Sequence, residues 1–185
     1  MHADPTETPS AEQPRFRRAT LADVPALLAL VTSAYRGDSS RLGWTTEADL
    51  IDGQRIDQAL LSADIERPDS HVLILEDARG MLACAHVAID TGSGYFGMFA
   101  VRPEAQNAGI GRRVLTEAER IVRDDWQLDR MRMTVIDIRQ ELIDWYQRQG
   151  YRRTGIKKAF PYGDPRFGQP RRDDLRFEVL EKPLR

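Results

Sequence analysis

The stretch VRPEAQNAGIGRRV, Val101 to Val114, carries two glycines one residue apart, an upstream proline and two arginines behind the second glycine. A loop of this kind, placed between a strand and a helix, aims unpaired backbone N–H groups and the positive end of a helix dipole at one point, which suits a phosphate. The P-loop of nucleotide triphosphatases needs lysine and then serine or threonine after its last glycine, whereas Gly111 is followed by Arg112 and Arg113. A dinucleotide fingerprint needs a third glycine where Val114 stands, and a parallel βαβ lead-in. Both of those phosphate ligands are excluded.

Other residues able to do chemistry lie around this loop. Tyr146 sits in IDWYQRQGY, and a phenol is protonated at neutral pH and able to donate; the same residue also fits the core stripe of an amphipathic helix. His86, Asp90 and Glu47 carry titratable groups, with a satisfied structural histidine as the commoner fate of His86 in its apolar strand. Trp44 and Glu47 in GWTTEADL can stack on a substrate and pair with its ammonium, or serve as a core tryptophan and a helix cap. Cys84 is flanked by alanines, which favours a packed thiol over a nucleophile, and no spacing of His and carboxylates suggests a metal.

The elements that must position these residues follow from periodicity. Arg15 to Arg18 predicts a short strand, and Thr20 with Asp23 caps a helix whose stripe is Leu21, Val24, Leu27, Leu28, Val31 and Tyr35. Thr46 and Asp49 form a second cap pair, so a broken helix is expected through QALLSADIER. HVLILE, the turn DARG and MLACAHVAI predict a hairpin, and TGSG turns the chain into a third run, YFGMFAV. The glycine loop therefore closes a strand meander. It also opens a helix marked by Ile110, Val114, Leu115, Ala118, Ile121 and Val122. RMRMTVID, YRRTGIKKAF and LRFEVLEK predict further strands, and QELIDWYQRQG a helix ending at Gly150. The connection AFPYGDPRFGQPRRDD has the length of a functional or mobile loop, and is expected to close over a bound substrate. The sum is one mixed α/β (α+β) layer structure.

Composition narrows the function. The 185 residues fit one core, and 41% hydrophobic with 30% charged residues argues against disorder. A net charge of -2 gives no field for a polyanion, so no nucleic acid is expected as partner, and the basic residues Arg152, Arg153, Lys157, Lys158, Arg171 and Arg172 read as solvated faces. No apolar run is long enough to span a membrane, and no membrane partner is expected. The single cysteine accords with a reducing compartment, the cytoplasm. Residues 1–14 lack an apolar and a basic signal region and are expected to form a flexible tail before a single domain over 15–185.

The segment Gln106-Asn107-Ala108-Gly109-Ile110-Gly111 resembles the Q/R-x-x-G-x-G/A acyl-CoA signature of the GNAT superfamily of N-acetyltransferases, with Val101 and Pro103 matching an upstream V-x-P. IDWYQRQGY resembles the second signature of that family, and the resemblance covers about Arg15 to Leu180. It implies a GNAT fold, a mostly antiparallel mixed sheet of about seven strands flanked by helices. It also implies acetyl-CoA as acyl donor and a small-molecule or peptide amine as acceptor, with a homodimer compatible. The pantetheine arm would pair with Phe99 and Val101, the oxyanion would meet an N–H near Phe99 or Ala100, and the pyrophosphate would sit on the amides of Gln106, Asn107, Ala108, Gly109, Ile110 and Gly111 beside Arg112. Tyr146 stands where the family usually has its general acid. Two departures accompany the match: YFGMFAV offers no carboxylate base, for which His86, Asp90, Glu47 or a water chain are the candidate substitutes, and Arg139 replaces an asparagine that touches CoA, where an arginine can meet a phosphate instead. The expected activity is direct transfer of acetyl to a primary amine; the alternative is a catalytically weak acyl-CoA sensor with the same fold.

Overall fold

A computed structural model describes residues 13–185, so the expected tail over 1–14 lies outside the described residues except for Gln13 and Pro14. Strand β1 (Arg15–Arg18) leads into a capping box, in which Asp23 accepts from the Thr20 amide at 2.8 Å. The chain then enters α1 (Val24–Tyr35), which buries Val24, Leu27, Leu30, Val31, Ala34 and Tyr35. Leu21 is 48% exposed because it belongs to the turn before α1 and not to its buried stripe.

The helix expected behind Thr46 and Asp49 does not form there. After the single turn α2 (Gly37–Ser40), Thr46 bonds the Ser40 hydroxyl at 2.6 Å and Asp49 pairs with Arg41 at 2.7 Å. A two-residue strand β2 (Ile51–Asp52) follows, and α3 (Gln58–Glu66) starts behind Asp57, whose carboxylate accepts from the Leu60 amide at 2.9 Å.

The meander is as read: β3 (Ser70–Asp77), β4 (Gly80–Asp90) and β5 (Ser93–Val101) pair antiparallel in succession. Next come α4 (Ile110–Arg120), continued by a wider turn to Asp125, then β6 (Arg130–Ile136), α5 (Gln140–Arg148), β7 (Arg152–Ala159), β8 (Gln169–Pro170) and β9 (Arg176–Pro183). The seven-stranded sheet has the order β1-β3-β4-β5-β6-β9-β7, antiparallel except between β5 and β6. Helices α4 and α5 cover one face with Leu73, Leu75, Val87 and Met131, while α1 and α3 cover the other with Val72, Ile74, Cys84 and Ala100. Apolar side chains on both faces explain why β3 reads as an unbroken hydrophobic run.

Two irregularities shape the site. Cys84 pairs with Ala100 and His86 with Gly97, so Met98 and Phe99 oppose Ala85 alone, and Met98 takes φ +45. This bulge bends β5, and the parallel pairing to β6 stops after Gly94↔Met131 and Tyr95↔Arg132. The two strands then part. Separately, β2 and β8 form a small second sheet. Gly168 leads into it with φ +85, at a position where a Cβ would stand 2.6 Å from the Asp52 carbonyl oxygen, so only glycine fits.

Candidate active site

The opening between β5 and β6 leads into a cleft of about 580 Å³ whose walls include Trp44, Phe99, Val101, Gln106, Gly111 and Arg112. Gly109 adopts φ +76 immediately before Ile110, the first residue of α4, which turns the chain so that the first amides of the helix are free of intrahelical partners. Arg112 is exposed and makes no ion pair among the described residues. Asn107 and Gly109 also line this cleft, whereas Ile110 is buried in the core and Ala108 is exposed outside it, so these two can offer only backbone. Ala100 is buried against Cys84 on the α1 side and does not line the cleft.

The strand edge itself is partly engaged. Tyr35 donates its hydroxyl proton to the Phe99 carbonyl, and Gln106 Nε2 donates to the Val101 carbonyl at 3.2 Å. Each carbonyl keeps a second lone pair for a ligand amide. Gln106 also holds the loop opposite, accepting from the Trp44 amide at 3.0 Å and donating to Thr45 Oγ1 at 3.1 Å. The donor set thus fits an extended arm ending in a pyrophosphate: free helix amides, an exposed guanidinium and an open strand edge.

A second, smaller cavity of about 100 Å³ lies on the other side of the splay, and Tyr35, Phe99 and Leu142 line both. Tyr146, from α5, is buried in its wall, and its hydroxyl makes no hydrogen bond among the described residues. Burial holds that phenol well above its ordinary pKa of 10, so it stays protonated.

The same cavity carries an ionic cluster. Glu47 meets Arg36 at 2.8 Å and Arg55 at 3.2 Å through Oε2, and Arg139 at 3.3 Å through Oε1; Arg139 also donates to the Thr45 carbonyl at 2.7 Å. Burial works to raise the Glu47 pKa, but the combined pull of Arg55, Arg139 and Arg36 holds it below its ordinary value. Arg36 Nε and Nη2 are buried without a hydrogen-bond partner among the described residues, while Arg55 Nε is buried with the Glu47 carboxylate at 3.2 Å as its ion-pair partner. An unpaired buried donor costs on the order of 1–3 kcal/mol, more when charged.

These contacts correct several expectations. Glu47 is neither a base nor an ammonium partner, since both its oxygens are held by arginines. His86 lies outside both cavities, with Nε2 at 2.7 Å from Ser70 Oγ and Nδ1 at 3.5 Å from Asp64, a structural role. Asp90 is exposed at the far end of β4. Trp44 lines the larger cleft, its ring 6.3 Å from Trp145, and not the smaller cavity that holds Glu47. Arg139 joins the Glu47 cluster instead of reaching the glycine loop. The sequence reading missed Tyr35, Arg36 and Arg55. Tyr35 looked like one more apolar-stripe residue, and no local pattern distinguishes the two arginines.

Among the described residues there is no cluster of three His, Cys, Asp or Glu side chains arranged for a metal, and no helix long and apolar enough to cross a membrane. Residues 68–153 match the family model described as an acetyltransferase (GNAT) domain. No curated protein matches by sequence. Among solved structures, the ribosomal-protein-S18-alanine N-acetyltransferase from Escherichia coli superimposes with a TM-score of 0.68 at 13% identity, covering 93% of this chain and 94% of that one. The ribosomal-protein-alanine N-acetyltransferase from Brucella melitensis gives 0.67 at 22% identity, with 91% and 99% covered. The spermidine/spermine N-acetyltransferase from Vibrio cholerae gives 0.63 at 14% identity, with 93% of each chain covered. The family model thus spans the strand meander, the glycine loop and α5, and the fold shared with these neighbours over nearly the whole chain is the GNAT fold.

Proposed function

We propose that the protein is an N-acetyltransferase that moves acetyl directly from acetyl-CoA to a primary amine held in the smaller cavity. The observation that carries this reading is the shared wall: Tyr35, Phe99 and Leu142 belong to both cavities, so a donor and an acceptor bound on either side meet at the bulge of β5. Acetyl-CoA supplies an acyl group already activated as a thioester.

The chain's own groups fill the remaining roles. Gln106, Asn107 and Gly109 to Gly111, with Ala108 contributing only backbone, cradle the pyrophosphate at the α4 N-terminus, and Arg112 adds a cation. Phe99 and Val101 offer the strand edge to the pantetheine arm, and an N–H near Phe99 meets the oxyanion. Tyr146 keeps its proton and donates it to the departing thiolate. The acceptor nitrogen must arrive neutral, and the excess of guanidinium charge around the small cavity favours the uncharged amine, so no carboxylate base is required beside it. Water carries that proton away. A free, buried Cys84 accords with a cytoplasmic location.

The reading is tested by incubating the purified protein with acetyl-CoA and an amine panel while following free thiol and acetylated product. Product formation that requires both substrates supports it. Tight CoA binding with no transfer to any amine would leave a sensor in its place.

A further inference from the structure

We infer that the acceptor is a small amine that carries its own carboxylate, an amino-acid-like zwitterion whose carboxylate is received by Arg36, Arg55 and Arg139. This rests on the acetyl-transfer reading and names the substrate class of the same site.

The first support is charge balance. Three guanidiniums line the small cavity against the single carboxylate of Glu47, which leaves two positive charges in excess. Glu47 cannot answer them further, because Oε1 is taken by Arg139 and Oε2 by both Arg36 and Arg55.

The second is unsatisfied hydrogen-bonding capacity. Arg36 is 6% exposed, lines the cavity and leaves Nε and Nη2 without a partner among the described residues, whereas Arg55 Nε is already turned to Glu47 at 3.2 Å. Guanidinium donors in a fixed fork match a carboxylate in geometry as well as charge. A buried arginine with idle donors beside a cavity is arranged for an anion that arrives with the ligand.

The third is position. The arginines share the cavity with Tyr146 and with Phe99, the residue at the splay. A carboxylate seated on them leaves a short acceptor's amine between that anchor and the thioester side. The cavity, at about 100 Å³, suits a short molecule. The same field opposes a polycation, so spermidine, the kind of substrate named for the Vibrio cholerae structure, is disfavoured here.

The experiment uses the full chain with acetyl-CoA and the standard amino acids, each paired with its own carboxamide, together with spermidine. Thiol release is measured, and the same compounds are titrated calorimetrically into the CoA complex. The inference expects an amino acid preferred over its amide by at least about tenfold in kcat/KM, with the preference largely lost in Arg36→Gln. Arg55→Gln, in a side chain that is 29% exposed, serves if Arg36→Gln does not fold. Amides or spermidine acetylated as well as the free acids overturn the inference while upholding acetyl transfer. No transfer, but amino acids bound at least about tenfold more tightly than their amides, upholds the anion pocket and removes the acetyl-transfer reading. Absence of discrimination in both measurements overturns the inference.

Discussion

The Tyr35 hydroxyl donates to the carbonyl of Phe99 at the wall that the two cavities share. Through that one side chain, α1 reaches the strand edge on which the pantetheine arm is expected to lie. In Tyr35→Phe the competing donor is gone while the ring can stay near Arg55, whose guanidinium carbon lies 4.7 Å from the ring centroid. CoA is expected to bind severalfold more tightly by calorimetry, with about 1 kcal/mol lost in urea unfolding. CoA binding weakened tenfold or more would make the hydroxyl a ligand contact instead.

The glycines of the loop separate by variant. A Cβ at Gly109 meets nothing within 4 Å, but φ +76 strains any other residue, so Gly109→Ala is expected to lower stability by about 1 kcal/mol and to leave CoA affinity nearly unchanged. At Gly111 a Cβ would stand 3.2 Å from Phe99 Cζ and 3.5 Å from Trp145, on the cleft side. Gly111→Glu should therefore cut CoA affinity at least about tenfold, by bulk and by like charge. Unimpaired binding by Gly111→Glu would remove the pyrophosphate from this loop.

Tyr146→Phe should reduce turnover by about 10²–10⁴-fold, since a positioned acid is worth that much. The fold should hold, because the hydroxyl has no partner among the described residues to lose. Burial raises the Tyr146 pKa above 10, so the acid form persists through neutral and mildly alkaline pH. The wild-type rate should therefore show no Tyr146-dependent fall as pH rises toward 10. An unchanged turnover in Tyr146→Phe at saturating substrates would take that residue out of the acid role.

Glu47→Gln strands three guanidiniums without a counter-charge. A loss of about 3–5 kcal/mol is expected in chemical denaturation, and Arg36→Gln in the same chain should recover part of it. Because the folded state holds the Glu47 pKa below its ordinary 4.5, its ion pairing stabilises the fold fully above that value. This contribution is lost as pH falls further, through the folded pKa. Wild-type stability should accordingly drop more steeply than that of Glu47→Gln on acidification below about pH 4.5.

Burial pushes the Cys84 thiol up to about 12, and its side chain is 0% exposed. Native protein should react slowly with an aromatic disulfide reagent at pH 8, and should yield one thiol on unfolding. Rapid reaction of the native chain would show that β4 opens on the assay timescale.

The frame was legible because its signals are local. Alternation around His71 and Met81, the helical stripe from Ile110 to Val122 and the glycines at 109 and 111 each declare an element within a few residues of chain. The β2–β8 pair was invisible because two-residue strands have no period, and residues such as Asp52 and Arg171 meet across 119 positions of chain. The arginine cluster was invisible for a related reason: Arg36 ends α1, Arg55 sits in a loop and Arg139 precedes α5, so only tertiary packing makes them neighbours. Trp44 and Glu47, read as one unit from their proximity in sequence, are sent by the intervening turn to different cavities.

The small second sheet has a consequence for how acceptor preference can diversify. β2 and β8, with the Asp52–Arg171 pair at 2.7 Å, fasten the segment bearing Glu47, Ile51 and Arg55 to the one bearing Phe160 and Phe167. One segment brings Glu47 and Arg55, part of the charge of the smaller cavity, and the other part of its aromatic wall. Swapping either alone between related enzymes would break the fastening and mismatch charge with shape. The two segments thus act as one piece in shaping the smaller cavity, and a chimera is expected to keep its shape only when both are exchanged together.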